Sequence, residues 1–250
     1  MTTRLPPLRR QRRRINLASV ASRFMKGVAA VEATIEPTAL WWDRWNHDAM
    51  QQDGPLWIAL GDSVTQGIGA SHPTQSYAAR THARLRARTD TPWRLINLSM
   101  SGGRFSDVVD TQLEVINEYK LRPTVVSALI GSNDVIWRRD TDGVINDARR
   151  MTEALPVGTV LSRVSEAKRD RRRAGVNQVF DAAAATGTVQ LYDAWDWPSG
   201  EAMWAEDRFH PNDRAYQHLS DNLYCALERH GIAGPPRNTI DPCRGGGGSV

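Results

Sequence analysis

Cysteine is nearly missing from this chain. Its 250 residues hold two, Cys225 and Cys243, with no Cys-x-x-Cys pair, so neither a disulfide framework nor a thiolate metal site is indicated. No uninterrupted apolar run approaches the length needed to span a bilayer. No internal repeat recurs, which sets aside solenoids and propellers. An excess of one charge is missing too, once the amino terminus is set apart. Residues 1–14 hold six Arg and no acid, and without them the net charge of +4 becomes about −2. The pI of about 9.4 therefore belongs to an arm and not to a nucleic-acid-binding surface, and no nucleic-acid partner is expected. What is present is ordinary for a soluble globular protein: 40% hydrophobic and 24% charged residues, a mean hydropathy of −0.49, and nine Trp. The length suffices for one domain with a substantial core and tails.

The arm begins with the basic run Arg9-Arg10-Gln11-Arg12-Arg13-Arg14. Leu17, Val20, Ala21, Phe24, Val28 and Val31 follow at helical spacing and predict an amphipathic helix. A secretory leader is disfavoured, because the uncharged stretch from Ile15 to Ser22 is short and Arg23 and Lys26 interrupt it. Two readings remain for this helix: peripheral attachment of residues 1–33 to an anionic membrane, or packing on its own domain. Trp41, Trp42 and Trp45 form an aromatic patch expected to dock on the domain. The Arg-rich stretch Lys168 to Arg173 reads as a solvated face.

From Leu56 onward, strand and helix patterns alternate, which argues for a parallel sheet with right-handed crossovers. Strands are predicted at Leu56 to Leu60, Arg94 to Met100, Thr124 to Ile130, Thr159 to Val164 and Val189 to Trp195. Helices are predicted at Tyr77 to Arg88, over Phe105 to Ile116, near Val144 to Leu155, from Glu166 to Ala185, and at Asn212 to His230. The first strand ends in Gly61-Asp62-Ser63, the second runs into Ser101-Gly102, and the third ends in Gly131-Ser132-Asn133-Asp134. In an open α/β sheet, one crevice at the carboxyl ends of the strands would collect all three turns. Asp207-Arg208-Phe209-His210-Pro211 precedes the last helix, and an Asp three residues before a His can reach the imidazole Nδ1 and leave Nε2 for a serine proton. The set suits acyl transfer, with Ser63 as nucleophile, His210 as base and Asp207 as its orienting carboxylate. The N–H groups of Ser63 and Gly102 and the side-chain amide of Asn133 would form an oxyanion hole. Asp134 reads as a hydrogen-bond partner of its loop. Trp137, Trp195, Trp197 and Trp204 fall near the same crevice and are candidates for an acyl pocket or a sugar-stacking surface, with core packing expected for at least half of them.

Gly61-Asp62-Ser63, Asn97-Leu98-Ser99-Met100-Ser101-Gly102, Gly131-Ser132-Asn133-Asp134 and Asp207-Arg208-Phe209-His210-Pro211 occur in this order, and with them the chain resembles the SGNH hydrolases of the GDSL esterase and lipase family. The resemblance implies a three-layer α/β/α sandwich with a five-stranded parallel sheet, a flavodoxin-like arrangement. It also implies hydrolysis of carboxylic esters or thioesters without metal or cofactor. The substrate would be a small-molecule, lipid or glycan ester with a small or medium acyl group. An acyltransferase using the same site is one alternative, and a non-catalytic module binding membrane or another polyanion is another. The expected organisation is a basic arm, amphipathic helix and Trp-rich lead-in over 1–54, a hydrolase domain over 55–234, and a disordered or linker-like tail over 235–250. The expected location is cytoplasmic, with peripheral membrane contact through the arm.

Overall fold

The computed structural model describes residues 26–138, 140–166, 170–197 and 200–233. The basic run, most of the predicted amphipathic helix and the tail lie outside the described residues. Five strands form one parallel sheet: β1 (Leu56–Gly61), β2 (Arg94–Asn97), β3 (Val125–Leu129), β4 (Thr159–Ser162) and β5 (Val189–Tyr192), in the order β2-β1-β3-β4-β5. The helices are α1 (Lys26–Glu32), α2 (Ile35–Met50), α3 (Ser63–Gln66), α4 (Tyr77–Thr89), α5 (Phe105–Asp107), α6 (Leu113–Glu118), α7 (Ser132–Trp137), α8 (Thr141–Ala154), α9 (Arg171–Ala185) and α10 (Asp213–Arg229). The three-layer sandwich and five-stranded parallel sheet expected from the sequence are both present.

Alternation along β1 shows how the layers form. Leu56, Ile58 and Leu60 point into a core shared with Phe105, Val144, Met151 and Phe180, under α8 and α9. Trp57 and Ala59 point the other way, into a core shared with Tyr77, Leu85, Tyr216 and Leu223, under α4 and α10. All six residues of the strand are buried, so period-two alternation sorts apolar side chains between two cores instead of separating apolar from polar.

Two predicted elements differ from what is observed, and one observed helix has no counterpart among those predicted. The second strand pairs only through Asn97, after which Leu98 N–H and Met100 N–H still reach Ala59 and Gly61 carbonyls at 2.9 and 3.2 Å. The helix predicted from Phe105 is broken by a π-helical segment, Val108–Gln112, between α5 and α6. The third difference is α2. Its buried face is Thr38, Trp42, Asn46 and Ala49, and it covers the edge strand β2. The Asn46 side chain exchanges both hydrogen bonds with the Asn97 backbone, at 2.8 Å each, in the manner of a neighbouring strand. Trp45 Nε1 donates to the Leu95 carbonyl at 3.0 Å, so an edge that would otherwise invite pairing with another chain is closed. The Trp patch is thus docked on the domain, as expected. Arg172 and Arg173 correct the reading of a solvated face: both are half-buried, Arg172 donating to the Arg138 carbonyl and Arg173 to Ser165 and Asp170. Cys225, on α10, is disulfide-bonded.

Candidate active site

The sheet order changes direction between β1 and β3, and the candidate residues gather at the carboxyl ends of those strands. Gly61 closes β1 with φ of +156°, and a Cβ there would lie 2.1 Å from Thr65 Oγ1 and 2.4 Å from the Leu129 carbonyl oxygen. Only glycine lets the chain turn this tightly from strand into α3. Asp62 caps α3 by accepting from Val64 N–H at 2.9 Å. Ser63 is the first residue of that helix, so its own N–H has no intrahelical acceptor.

Ser63 Oγ lies 2.9 Å from His210 Nε2, and His210 Nδ1 lies 2.6 Å from Asp207 Oδ2. Local chain geometry makes the second contact. Asp207 Oδ1 accepts from the N–H groups of Phe209 and His210, both at 3.0 Å, while Arg208 takes a left-handed conformation with φ of 54°. Such a residue costs roughly 1–2 kcal/mol, which the hydrogen bonds around it must offset. The loop is anchored where Trp204 bridges Pro211 and the Ala205 N–H donates to the His210 carbonyl at 2.8 Å. Partial burial pushes the Asp207 carboxyl up, but hydrogen bonds from the His210 ring and the two backbone amides outweigh it and hold the carboxyl below its ordinary range. An ionised carboxylate only accepts, so Nδ1 carries the proton and Nε2 is left to accept from the Ser63 hydroxyl.

Asn133 lies in the first turn of α7, after Gly131. A Cβ at Gly131, whose φ is +111°, would come within 2.6 Å of the Phe105 ring. One hydrogen of the Asn133 side-chain amide is directed to the Gly103 carbonyl at 2.9 Å, which fixes the amide plane and leaves a second N–H. The Gly103 N–H is taken by the Met100 carbonyl at 2.9 Å, so of the two adjacent glycines Gly102 is the one with an N–H to offer. Asp134 is buried and accepts from Phe105 N–H at 3.1 Å, as expected of a loop-bracing residue. Burial raises its pKa to about 6, and burial likewise raises that of Asp62 to about 7.

Several residues that hold this site have no chemical signature in the sequence. Gln112, wholly buried in the π-helical segment, accepts from Gly61 N–H and donates to the Gly61 carbonyl, both at 2.9 Å. Its amide accepts the Gly61 N–H that the chain after β2 leaves without an acceptor, and shares the Gly61 carbonyl with Met100 N–H. Gln66 donates to the Ser99 carbonyl at 3.1 Å and accepts from Ser101 Oγ at 2.6 Å, while its own carbonyl accepts from Trp42 Nε1 at 2.8 Å. Asn97, which opens the second of the four sequence blocks, adds to them by donating from Nδ2 to the Thr65 carbonyl at 3.0 Å. These amides tie α3 to the loop of Gly102. Of the four Trp candidates, Trp195, Trp197 and Trp204 pack in series with ring centroids 5.3 and 6.1 Å apart, the first two against the core. Trp137 alone stands exposed, beside Phe209. A cleft of about 500 Å³ between α8 and α9, with Ile145, Arg149, Gln178 and Val179 among its lining, contains none of the candidate site residues. Among the described residues no cluster of potential metal ligands occurs.

Residues 59–218 match the GDSL-like Lipase/Acylhydrolase family. The chain belongs to that family. It is an ester-hydrolysing enzyme. Solved structures similar to it include TesA (19% identity, TM-score 0.59, covering 70% of this chain and 98% of that one). The psychrotrophic esterase EstA from Pseudoalteromonas sp. is similar at 17% identity and a TM-score of 0.59, covering 70% and 97%. Axe2, an acetylxylan esterase from Geobacillus stearothermophilus, is similar at 21% identity and a TM-score of 0.54, covering 70% and 94%. At these identities the likeness is one of fold. Comparison with curated proteins returns no match.

Proposed function

We propose that this family member is a serine esterase whose nucleophile is Ser63, with His210 as general base and acid, Asp207 as the orienting carboxylate, and an oxyanion hole formed by the N–H groups of Ser63 and Gly102 and the side-chain amide of Asn133. The observation that carries this reading is the continuous hydrogen-bonded line from Ser63 Oγ through His210 to Asp207, at 2.9 and 2.6 Å. In the first half-reaction, Oγ adds to the ester carbonyl as its proton passes to Nε2, and the three N–H groups donate to the carbonyl oxygen and stabilise its developing negative charge. Collapse of the tetrahedral adduct breaks the bond to the alcohol, whose oxygen takes the proton from Nε2. Water then repeats the sequence on the acyl-enzyme, releasing the acid and restoring Ser63. The acyl group on this reading is small or medium.

Two measurements test it. Ser63→Ala and His210→Ala are each expected to lower ester hydrolysis by several orders of magnitude with the fold intact, because residues acting as a unit lose most of their joint effect singly. EstA is described as inhibited by monoethylphosphonate, which makes a reactive phosphonate ester a suitable probe. It should modify the wild-type chain at Ser63 and nowhere else. Near-normal turnover in either variant, or modification at another residue, would remove the assignment.

A further inference from the structure

Among the described residues, four large apolar side chains stand exposed: Ile136 at 39%, Trp137 at 51%, Val157 at 85% and Phe209 at 36%. Val157 lies on the turn before β4, Ile136 and Trp137 lie at the end of α7, and Phe209 directly precedes His210, the partner of Ser63. The Phe209 ring meets the His210 ring edge to face at 4.9 Å and 87°, and Trp137 tilts against Phe209 at 5.9 Å and 48°. Trp137 ends α7, one turn after Asn133, so the aromatic contact joins the helix of the oxyanion candidate to the loop of the base. Apolar surface left in water around a reaction centre costs free energy in the empty enzyme, and its usual use is to be covered by ligand.

We propose that Trp137 and Phe209 form the subsite for the alcohol portion of the ester, and that the substrates are carboxylic esters of bulky, ring-bearing alcohols. The inference rests on the serine-esterase reading and deepens it. Proton transfer separates the two sides of the substrate. The proton on His210 Nε2 must pass to the oxygen of the departing alcohol, so that oxygen lies within hydrogen-bonding reach of Nε2 and its carbon skeleton extends along the His210 loop. The acyl carbon sits on Ser63 Oγ, with its oxygen turned to Gly102 and Asn133. Phe209 is the side chain directly beside His210, and Trp137 widens the same surface. Two ring faces side by side suit a flat or cyclic group more than a short flexible chain.

The test uses the full chain and two ester series. In the first, acetate is held and the alcohol is ethyl, cyclohexylmethyl or benzyl, alcohols similar enough in acidity that leaving-group chemistry changes little. In the second, ethanol is held and the acyl group runs from acetate to hexanoate. Wild type is expected to favour benzyl over ethyl acetate by about tenfold or more in kcat/KM. In Trp137→Ala that ratio should fall by about threefold to tenfold, mostly through KM, as loss of one aromatic contact implies. The hexanoate-to-acetate ratio should shift by less than about twofold. Phe209→Leu keeps bulk against His210 and should lower the benzyl ratio in the same direction. A benzyl ratio unmoved in both variants, a wild type that does not favour benzyl acetate, or a shift confined to the acyl series would overturn the proposal. Failure of the underlying reading looks different: Ser63 would escape phosphonate labelling and Ser63→Ala would retain wild-type hydrolysis of every ester.

Discussion

Asp62 sits one residue before Ser63 with its carboxyl almost wholly removed from water. Burial lifts its pKa from 3.8 to about 7, the hydrogen bond from Val64 N–H opposing the rise, while burial lifts Asp134 from 3.8 to about 6. Both carboxyls hold a proton more tightly folded than unfolded, so between about pH 4 and the folded values unfolding releases protons. Their contribution to stability is therefore full below about pH 4 and declines as the pH rises through about 6 to 7. Asp62→Asn keeps an acceptor for Val64 N–H and cannot ionise. The change in unfolding free energy between pH 4 and pH 8 should shrink in this variant by on the order of a few kcal/mol, since each tenfold difference in proton affinity is worth about 1.4 kcal/mol. Denaturant titration across that range measures the slope, and a slope parallel to wild type would refute the account. For Asn133→Ala, kcat should fall roughly 10²-fold to 10³-fold with KM nearly unchanged, the loss expected for one oxyanion donor. Steady-state kinetics on one ester decides it, since an effect confined to KM would make Asn133 a substrate contact. The hydrogen-bonded line of Ser63, His210 and Asp207 could be expected from the sequence, because serine-based acyl transfer would need those side chains at those turns. Gln66 and Gln112 were not legible, because an amide that binds backbone groups has no fixed spacing and no preferred neighbour.

At the scale of elements, the π-helical segment explains why β2 can stop early. Past Asn97 the chain turns away to build the loop of Gly102, and the Gly61 N–H would be left buried without a partner. The wider π turn brings Gln112 across to accept from that N–H and to donate to the Gly61 carbonyl alongside Met100 N–H, and such segments often occur at functional sites. Gln112→Ala removes the acceptor of a buried N–H, worth about 1–3 kcal/mol, directly before Asp62 and Ser63. Phosphonate labelling at Ser63 should slow by about tenfold or more, while KM for a short ester changes little. Gln112→Glu restores the acceptor but not the donor, and should fall between the two. Equal labelling rates in all three would show that Gln112 serves stability alone. Strands β1 and β3 were readable from their apolar runs. Helix α2 was not, because two of its four buried positions, Thr38 and Asn46, are polar and escape a search for apolar periodicity.

For the whole molecule, the question is where the independently stable unit begins. Among the described residues no helix is long and apolar enough to cross a membrane, and the framework starts with α1. That helix runs so close to the His210 loop that a Cβ at Gly27 would lie 2.5 Å from the Glu206 carbonyl oxygen, one residue from Asp207. Helix α2 then closes the β2 edge through Asn46 and Trp45, and its Trp42 reaches the carbonyl of Gln66. A chain beginning at Lys26 keeps all of these contacts and should match the full chain in Tm within a few degrees and in turnover of a short soluble ester. A chain beginning at Gln51 leaves backbone donors and acceptors of β2 unpaired and uncovers the pocket of Trp42, which is almost fully buried. Exposed edges of that kind pair with one another, so this form should be lost to aggregates or elute as oligomers. Asn46→Leu isolates the cause: it fills the same space, removes both bonds to Asn97, and should lower Tm without touching the candidate site. Thermal unfolding and size-exclusion chromatography of the three proteins decide the matter. If the Gln51 form elutes as a monomer with unchanged Tm, α2 is an accessory, and the edge of β2 must be protected by its own sequence.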